Sequence, residues 1–328
     1  MKFLNVTTTD PYRNLAIEEY LFLHSDDDVL LLWQNEPTVV IGKNQNAYAE
    51  LALDVIRERG VHIARRITGG GAVYHDLGNV NFSLISTTKG RDGLDFAAFC
   101  APMIEALAGL GIRAELSGRN DLLVDGKKIS GNAQHASGDR VLHHGTLLFD
   151  SDLDALSAVL RVDEEKLRAR AVRSVRSRVT NLRPYLAEDC GVQEFMERLG
   201  TRLCQILGAT TIMPPEDAEI ERLYERNRSE EWLFPDRALV SQYCLVNKKR
   251  YPFGTVELAL DMQNETVRQV HISGDFFGTQ PIAVLEEALK DLTRDRLEER
   301  ISSLNVGSYI FGMHAEELIA QILGSFPE

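Results

Sequence analysis

Cysteine is scarce and scattered in this chain of 328 residues: there are four, Cys100, Cys190, Cys204 and Cys244, and no C-x-x-C pair. That spacing argues against a zinc site or a disulfide scaffold and fits isolated thiols in a reducing compartment. Long apolar runs are also missing. None approaches the roughly 20 residues that a membrane-spanning helix needs. Residues 1–7, MKFLNVT, lack the apolar centre of a secretory signal and read as a first strand. Positive charge is in the minority, 36 Lys and Arg against 49 Asp and Glu, for a net charge of −13. That balance argues against non-specific nucleic-acid binding. A cytoplasmic protein with no nucleic-acid or membrane partner is expected. Internal repeats and low-complexity tracts are absent.

What remains is an ordinary globular composition, 44% hydrophobic and 26% charged, long enough for two domains. Asp10 and Pro11 cap a helix over 12–24. Strands are expected at 29–33 and 38–42, a helix at 49–59, and strands at 61–64 and 80–85. A helix over 94–110 precedes strands at 113–117 and 141–149. Asp125-Gly126 between strand-like runs is a hairpin signal. Helices are expected at 152–160, 164–170, 192–207 and 218–228. Trp232, Phe234 and Pro235 read as a hinge or docking segment. From residue 239 the pattern becomes strands at 240–246, 254–262 and 266–273, followed by helices at 282–289, 293–302 and 314–323. The fold class is therefore α+β: a large domain over 1–238, with a mixed sheet and flanking helices, and a small α+β domain over 239–328.

The chemistry concentrates in residues 65–82, RRITGGGAVYHDLGNVNF. Three glycines leave backbone N–H groups uncovered and permit positive φ, so an anion can approach closely. Arg65 and Arg66 can hold a phosphate or carboxylate in fork geometry. No Gly-Lys-Ser/Thr follows, which excludes a P-loop, and no G-x-G-x-x-G opens a helix. Three further stretches carry polar groups. Asn120-Asp121 can bind a phosphate, hold Mg²⁺ or cap a turn. Lys128, followed by Ser130-Gly131-Asn132-Ala133, can neutralise developing charge, with Lys127 as its natural control. His143 and His144 are adjacent on a strand, so at most one faces a pocket. His75-Asp76 is either a site pair or a turn cap. Arg168, Arg170, Arg173, Arg176 and Arg178 make a local basic stretch. No nucleophilic triad can be assembled, so positioning and electrostatics would carry any reaction.

Taken together and in this order, these stretches resemble the lipoate–protein ligase A family. The matching motifs are R-R-x-[ST]-G-G-G-x-V-[YF]-H-D-x-G-N at 65–79, G-R-N-D at 118–121, K-[IV]-S-G-x-A at 128–133, H-H-G-T-L-L at 143–148 and S-V-R-S-R-V-T-N-L at 174–182. The resemblance implies a biotin/lipoate ligase-like large domain with a C-terminal accessory domain. It implies activation of lipoate by ATP and Mg²⁺ to lipoyl-AMP. The lipoyl group then passes to a lysine of a carrier domain, on E2 subunits of 2-oxoacid dehydrogenases or the glycine cleavage H protein. By motif, Arg66, Thr68, Gly71, Ala72, Val73, Tyr74, Asn120, Asp121 and Lys128 would bind ATP, with Asp121 toward the metal and Lys128 catalytic. His75, Lys128 and His144 would bind lipoate. Ser174, Val175, Arg176 and Val179 would belong to a loop over the adenylate. A monomer is expected.

Rival readings remain open from the sequence. A transferase of the same superfamily would use a preformed activated lipoyl or octanoyl donor. An acyl-enzyme version needs a cysteine near Lys128, and none occurs between residues 128 and 148. A noncatalytic lipoate or nucleotide binder is the reading from another class, and biotin is the alternative acyl group.

Overall fold

The computed structural model describes residues 1–88, 94–160, 178–235, 243, 245–263 and 265–326. The helix expected at 164–170, the loop residues Ser174, Val175 and Arg176, and most of the strand expected at 240–246 lie outside these residues. The described chain packs as two units. The first holds Met1–Val40, Glu50–Arg65 and Val73–Leu233; the second holds Ile41–Ala49, Arg66–Ala72 and the chain from Phe234 onward.

The strands of the first unit, β3 ending one residue beyond it, are β1 (Lys2–Asn5), β2 (Val29–Trp33), β3 (Thr38–Ile41), β4 (His62–Arg65), β5 (Val73–His75), β6 (Asn79–Thr87), β7 (Glu115–Ser117), β8 (Asp121–Val124), β9 (Lys127–Ser137), β10 (Arg140–Leu148) and β11 (Thr210–Thr211). Eight of them form one sheet in the order β11-β1-β2-β6-β10-β9-β8-β7. β1 runs parallel to β2 and β11, and the other pairings are antiparallel. A smaller sheet has the order β4-β3-β5. The sequence reading left Val73–His75 in the glycine loop. They form a strand instead, because Val39 and Val40 offer them an antiparallel partner.

The helix α1 (Pro11–His24) begins as expected, with the Asp10 carboxylate accepting the N–H groups of Tyr12 and Arg13. The helix expected over 49–59 is two short ones, α2 (Ala47–Glu50) and α3 (Leu53–Glu58). Leu51 between them bridges to Leu160, after α5 (Ala155–Val159), rather than continuing the helix. α4 (Phe96–Ala108) and α6 (Val192–Leu207) share one apolar core with the sheet: Val80, Phe82, Leu84 and Leu147 gather with Cys100, Met103, Phe195, Leu199 and Leu203. Alternation along β6 sends Asn79, Asn81 and Ser83 to the other face, where they are also buried. Buried polar side chains are costly unless they are hydrogen-bonded, so that face marks the place to look for chemistry. α7 (Ala218–Asn227) packs on α1, and the four-residue turn α8 (Glu230–Leu233) follows.

The second unit carries an antiparallel sheet of β12 (Leu245–Tyr251), β13 (Gly254–Gln263), β14 (Thr266–Gly274) and β15 (Leu292–Thr293), in that order. Alternate residues Val256, Leu258 and Leu260 of β13 share a core with Leu285 of α9 (Ile282–Ala288) and Leu297 of α10 (Arg294–Ser302). Val306 of α11 (Val306–Tyr309) and Leu318 of α12 (Ala315–Leu323) complete it.

Candidate functional site

Asp125 and Gly126 turn β8 into β9 with φ of 50° and 72°, the left-handed pair that a two-residue hairpin favours. The register then shifts between Leu122 and Leu123. This irregularity carries Lys128 back along the hairpin, and its Nζ lies 2.7 Å from Asp121 Oδ1. The pair is partly open to solvent, at 37% and 36% side-chain exposure, so the ammonium is positioned yet reachable. Gly131 makes the room: a Cβ there would lie 3.0 Å from Lys128 Nζ. The backbone of Lys128 is held on its outer side. Its N–H donates to Arg178 O (2.7 Å), and its O accepts from Thr180 N–H (2.9 Å), which sets Val179 beside it. Asn120 stiffens the hairpin. Its Nδ2 donates to Asn132 O (2.6 Å), while Asn132 Nδ2 donates back to Asn120 O (3.0 Å).

Gly131 and Ala133 point to the same face of β9 by alternation, and Ala133 is paired with His144. His144 opens the buried polar network of that face. Its Nδ1 is 2.9 Å from Glu18 Oε1, which also accepts Ser83 Oγ–H at 2.5 Å. Trp33 Nε1–H donates to Ser83 Oγ at 3.0 Å. The Trp33 ring meets His75 edge-on at 5.9 Å. Asn35 Nδ2 donates to His75 Nδ1 (3.0 Å), and its Oδ1 accepts from Asn14 (2.9 Å). An amide donor on Nδ1 places the proton of neutral His75 on Nε2. His75 and His144, far apart in sequence, thus belong to one chain of contacts through Trp33, Ser83 and Glu18. Sequence reasoning singled out the two histidines and missed the three residues between them. The available signal was a pair of carboxylates, Glu18 and Glu19, inside an otherwise apolar stretch of α1.

His143 faces the opposite side. Gln134 Nε2 donates to its Nδ1 (2.9 Å), and its Nε2 lies 3.8 Å from Cys100 Sγ. The rings of Phe82, Phe96 and Phe99 surround it. Burial lowers its pKa to about 3, so it stays neutral in the core. His75-Asp76 divides likewise. Asp76 is a cap, with Oδ1 accepting Gly78 N–H (2.9 Å) and Oδ2 accepting Asp152 N–H (2.8 Å).

Arg66, Thr68, Gly71 and Ala72 fall in the second unit; Val73, Tyr74, His75, Asn120, Asp121, Lys128, His144 and Val179 fall in the first. Arg66 threads the glycine loop. Its Nε donates to Thr68 Oγ1 (2.9 Å), and its Nη2 donates to Gly69 O and Gly71 O (both 2.8 Å). Gly70 has φ of 92°, which favours glycine. Gly69 is fixed by contact instead: a Cβ would sit 2.2 Å from Phe276 O, the same oxygen that accepts Gly70 N–H at 3.3 Å. Among the described residues no three His, Cys, Asp or Glu side chains converge as a metal cluster. Asp121 would offer one carboxylate to a cation there. That suits Mg²⁺, which commonly takes one or two carboxylates together with substrate phosphates and water.

The family model described as the lipoyl protein ligase A/B catalytic domain matches residues 10–204, and the bacterial lipoate protein ligase C-terminus matches residues 241–322. Lipoate-protein ligase LplJ of Bacillus subtilis (strain 168) is 36% identical over 96% of this chain and 97% of its own. P. falciparum LipL1, solved with lipoate, is similar in fold at TM-score 0.82 and 24% identity, over 98% of this chain and 99% of that one. A bipartite lipoate protein ligase of Thermoplasma acidophilum, described with its E2 lipoyl domain, gives 0.63 at 31% identity over 71% and 95%. A lipoate-protein ligase A bound with ATP gives 0.59 at 29% identity over 71% and 98%.

Proposed function

This chain belongs to the lipoate–protein ligase family, and from that premise we propose that it activates lipoate with ATP and transfers the lipoyl group to a lysine of a carrier domain. The observation that carries the reading is the Lys128–Asp121 pair at the rim of the buried His144–Glu18–Ser83–Trp33–His75 network. The pair sets a cation beside a carboxylate at the start of β9, the strand whose Ala133 is paired with His144.

The chemistry joins two anions. A lipoate carboxylate oxygen attacks the α-phosphorus of ATP, the bond to the β-phosphate breaks, and pyrophosphate leaves. Lys128 supplies the fixed positive charge that such an approach requires, and its hairpin cost is met before substrate arrives. Asp121 holds Lys128 Nζ in the resting enzyme and would be the residue to hold Mg²⁺, which would supply further positive charge to the phosphates. Arg66, Thr68 and the N–H groups from Gly71 to Tyr74 take the nucleotide, with Asn120 keeping the β8–β9 hairpin in register. The face carrying His75 and His144 takes the acyl chain. In the second step the ε-amine of the carrier lysine attacks the acyl carbon and AMP departs. The carrier is an E2 lipoyl domain or an H protein, and the enzyme works as a cytoplasmic monomer.

An acyl-enzyme route has less support. Cys100 packs in the apolar core with this sheet, but it is fully buried there, and burial pushes its thiol up to about 12. The deciding experiment measures pyrophosphate release with ATP, Mg²⁺ and lipoate before a carrier is added, then the mass of an added lipoyl domain. Release and a gain of one lipoyl group are expected. Modification only with synthetic lipoyl-AMP would make the protein a transferase, and no modification under either condition would leave the binder.

A further inference from the structure

The two neighbouring arginines ahead of the glycine loop do different things. Arg66 binds the loop itself, as described above. Arg65 is 3% exposed and turns the other way. Its Nε donates to Trp232 O at 3.0 Å, and its Nη2 donates to Leu233 O at 2.8 Å. The indole Nε1–H of Trp232 donates back to Arg65 O at 3.0 Å. The last carbonyls of α8 would otherwise lack helical partners, so a guanidinium suits them by charge and by geometry.

Trp232 is itself pinned. The Arg226 guanidinium lies over its ring at 4.0 Å and is held in a bidentate pair by Glu19. Asn227, 1% exposed, accepts from Arg226 Nη2 (2.7 Å) and donates to Tyr12 O (3.2 Å). The assembly therefore runs from α1 through α7 and α8 to the last residue of β4. Arg65 is also the residue from whose carbonyl the chain enters Arg66–Ala72. Fixing that carbonyl fixes where the nucleotide loop starts.

We propose that Trp232 and Arg65 form a positioning clasp for the nucleotide-binding glycine loop, Trp232 acting through the Arg65 carbonyl and Arg65 through the α8 terminus. The clasp rests on the reading of that loop as the ATP site. Neither residue touches the reacting atoms. The loop tolerates little displacement, because positioning errors near 1 Å can cost about 10²-fold in rate.

The test uses Trp232→Phe, which keeps an aromatic ring under Arg226 and removes the indole donor, and Arg65→Lys, which keeps charge and cannot serve both carbonyls. Hydrogen exchange of amides 66–73 is followed in both variants and in the wild type, together with KM for ATP and for lipoate. Faster exchange in those amides is expected in each variant. KM for ATP should rise about threefold to tenfold in Trp232→Phe, the scale of one lost neutral hydrogen bond, and at least as much in Arg65→Lys, with KM for lipoate unchanged. Unchanged exchange in both folded variants would overturn the clasp. So would a uniform fall in kcat with no change in KM for ATP, the mark of a merely less stable enzyme. Wild-type enzyme that releases no pyrophosphate would instead remove the ATP reading, while the exchange measurement still decides the clasp.

Discussion

Lys128 Nζ and Asp121 Oδ1 stand 2.7 Å apart across the irregular register of the β8–β9 hairpin, whereas Lys127, one residue earlier, points to solvent. The two lysines differ in geometry and not in chemistry, which makes them a matched pair of substitutions. Lys128→Ala is expected to reduce adenylate formation by about 10²-fold or more, as removal of a preorganised charge-stabilising group does. Lys127→Ala should retain most of it. Equal effects in a pyrophosphate-release assay would mean that the hairpin, not the Lys128 ammonium, is what matters.

Gly131 offers a subtler displacement of the same group. A Cβ there meets only the far end of the Lys128 side chain, at 3.0 Å from Nζ and 3.2 Å from Cε. A flexible lysine can move aside, so Gly131→Ala should fold with a melting midpoint near wild type. Its adenylation rate should fall by about tenfold or more because the ammonium is displaced. A variant with normal kinetics would show that Lys128 works from another position. Gly78→Ala provides the contrast: its Cβ would lie 2.0 Å from Asp150 O, where backbone must shift, and a loss of about 1–3 kcal/mol is expected.

Much of this arrangement was legible in the sequence, for stated physical reasons. Asp10-Pro11 and Asp125-Gly126 are local signals, and each formed the cap or turn that its chemistry dictates. Lys128 stood out only through its motif context, since a hairpin lysine is ordinarily solvated. Glu18 was legible only as one of two carboxylates in an otherwise apolar stretch of α1: nothing local names the partners that bury it to 1%, Ser83 and His144, 65 and 126 residues away. Val73–His75 were misread as loop because their strand pairing depends on Val39 and Val40, which only the fold brings alongside. Trp232 read as part of a hinge or docking segment, and its hydrogen bond to Arg65 spans 167 residues.

Arg66 should matter for ATP more than for lipoate. Its guanidinium ties Thr68, Gly69 and Gly71 together, and Arg66→Ala removes both a cation and the brace of the loop. KM for ATP is expected to rise by about tenfold or more, the worth of a charge-assisted hydrogen bond, and Arg66→Lys should recover little because a lysine cannot span those acceptors. Steady-state titration of ATP at saturating lipoate checks this. An unchanged KM for ATP would remove Arg66 from the nucleotide site.

Glu18 joins Ser83 and His144 where water is excluded. Glu18→Ala leaves two polar side chains short of a partner, which costs about 1–3 kcal/mol. For a domain of this size that is a fall of roughly 2–4 °C in melting midpoint per kcal/mol. Glu18→Gln keeps an acceptor and should recover part of the loss. If the network also shapes the acyl site, KM for lipoate rises in both variants while KM for ATP holds. Thermal melts and the two KM values together separate the roles; no change in either KM would confine Glu18 to stability.

His143 makes acid stability the sharpest test of the sheet's apolar face. Its pKa is lowered to about 3 by burial, the main cause, with the neighbouring His144 second. An unfolded histidine titrates near 6.5. Above pH 6.5 both states are neutral at this site and the residue has no effect on the pH dependence of folding. Between pH 6.5 and about 3 the unfolded chain binds a proton that the folded chain refuses, so stability falls as pH falls, by about 1.4 kcal/mol per unit. His143→Gln removes the titration while retaining an acceptor for Gln134. The variant is expected to be less stable than wild type at pH 7.5, since it repacks among Phe82, Phe96 and Phe99. Its loss between pH 7.5 and 5.0 should nevertheless be smaller by about 2 kcal/mol, the span of 1.5 units below 6.5. Urea unfolding of both proteins at the two pH values gives the comparison directly. Equal losses would mean that His143 accepts its proton in the folded state, and the neutral core histidine would have to be abandoned.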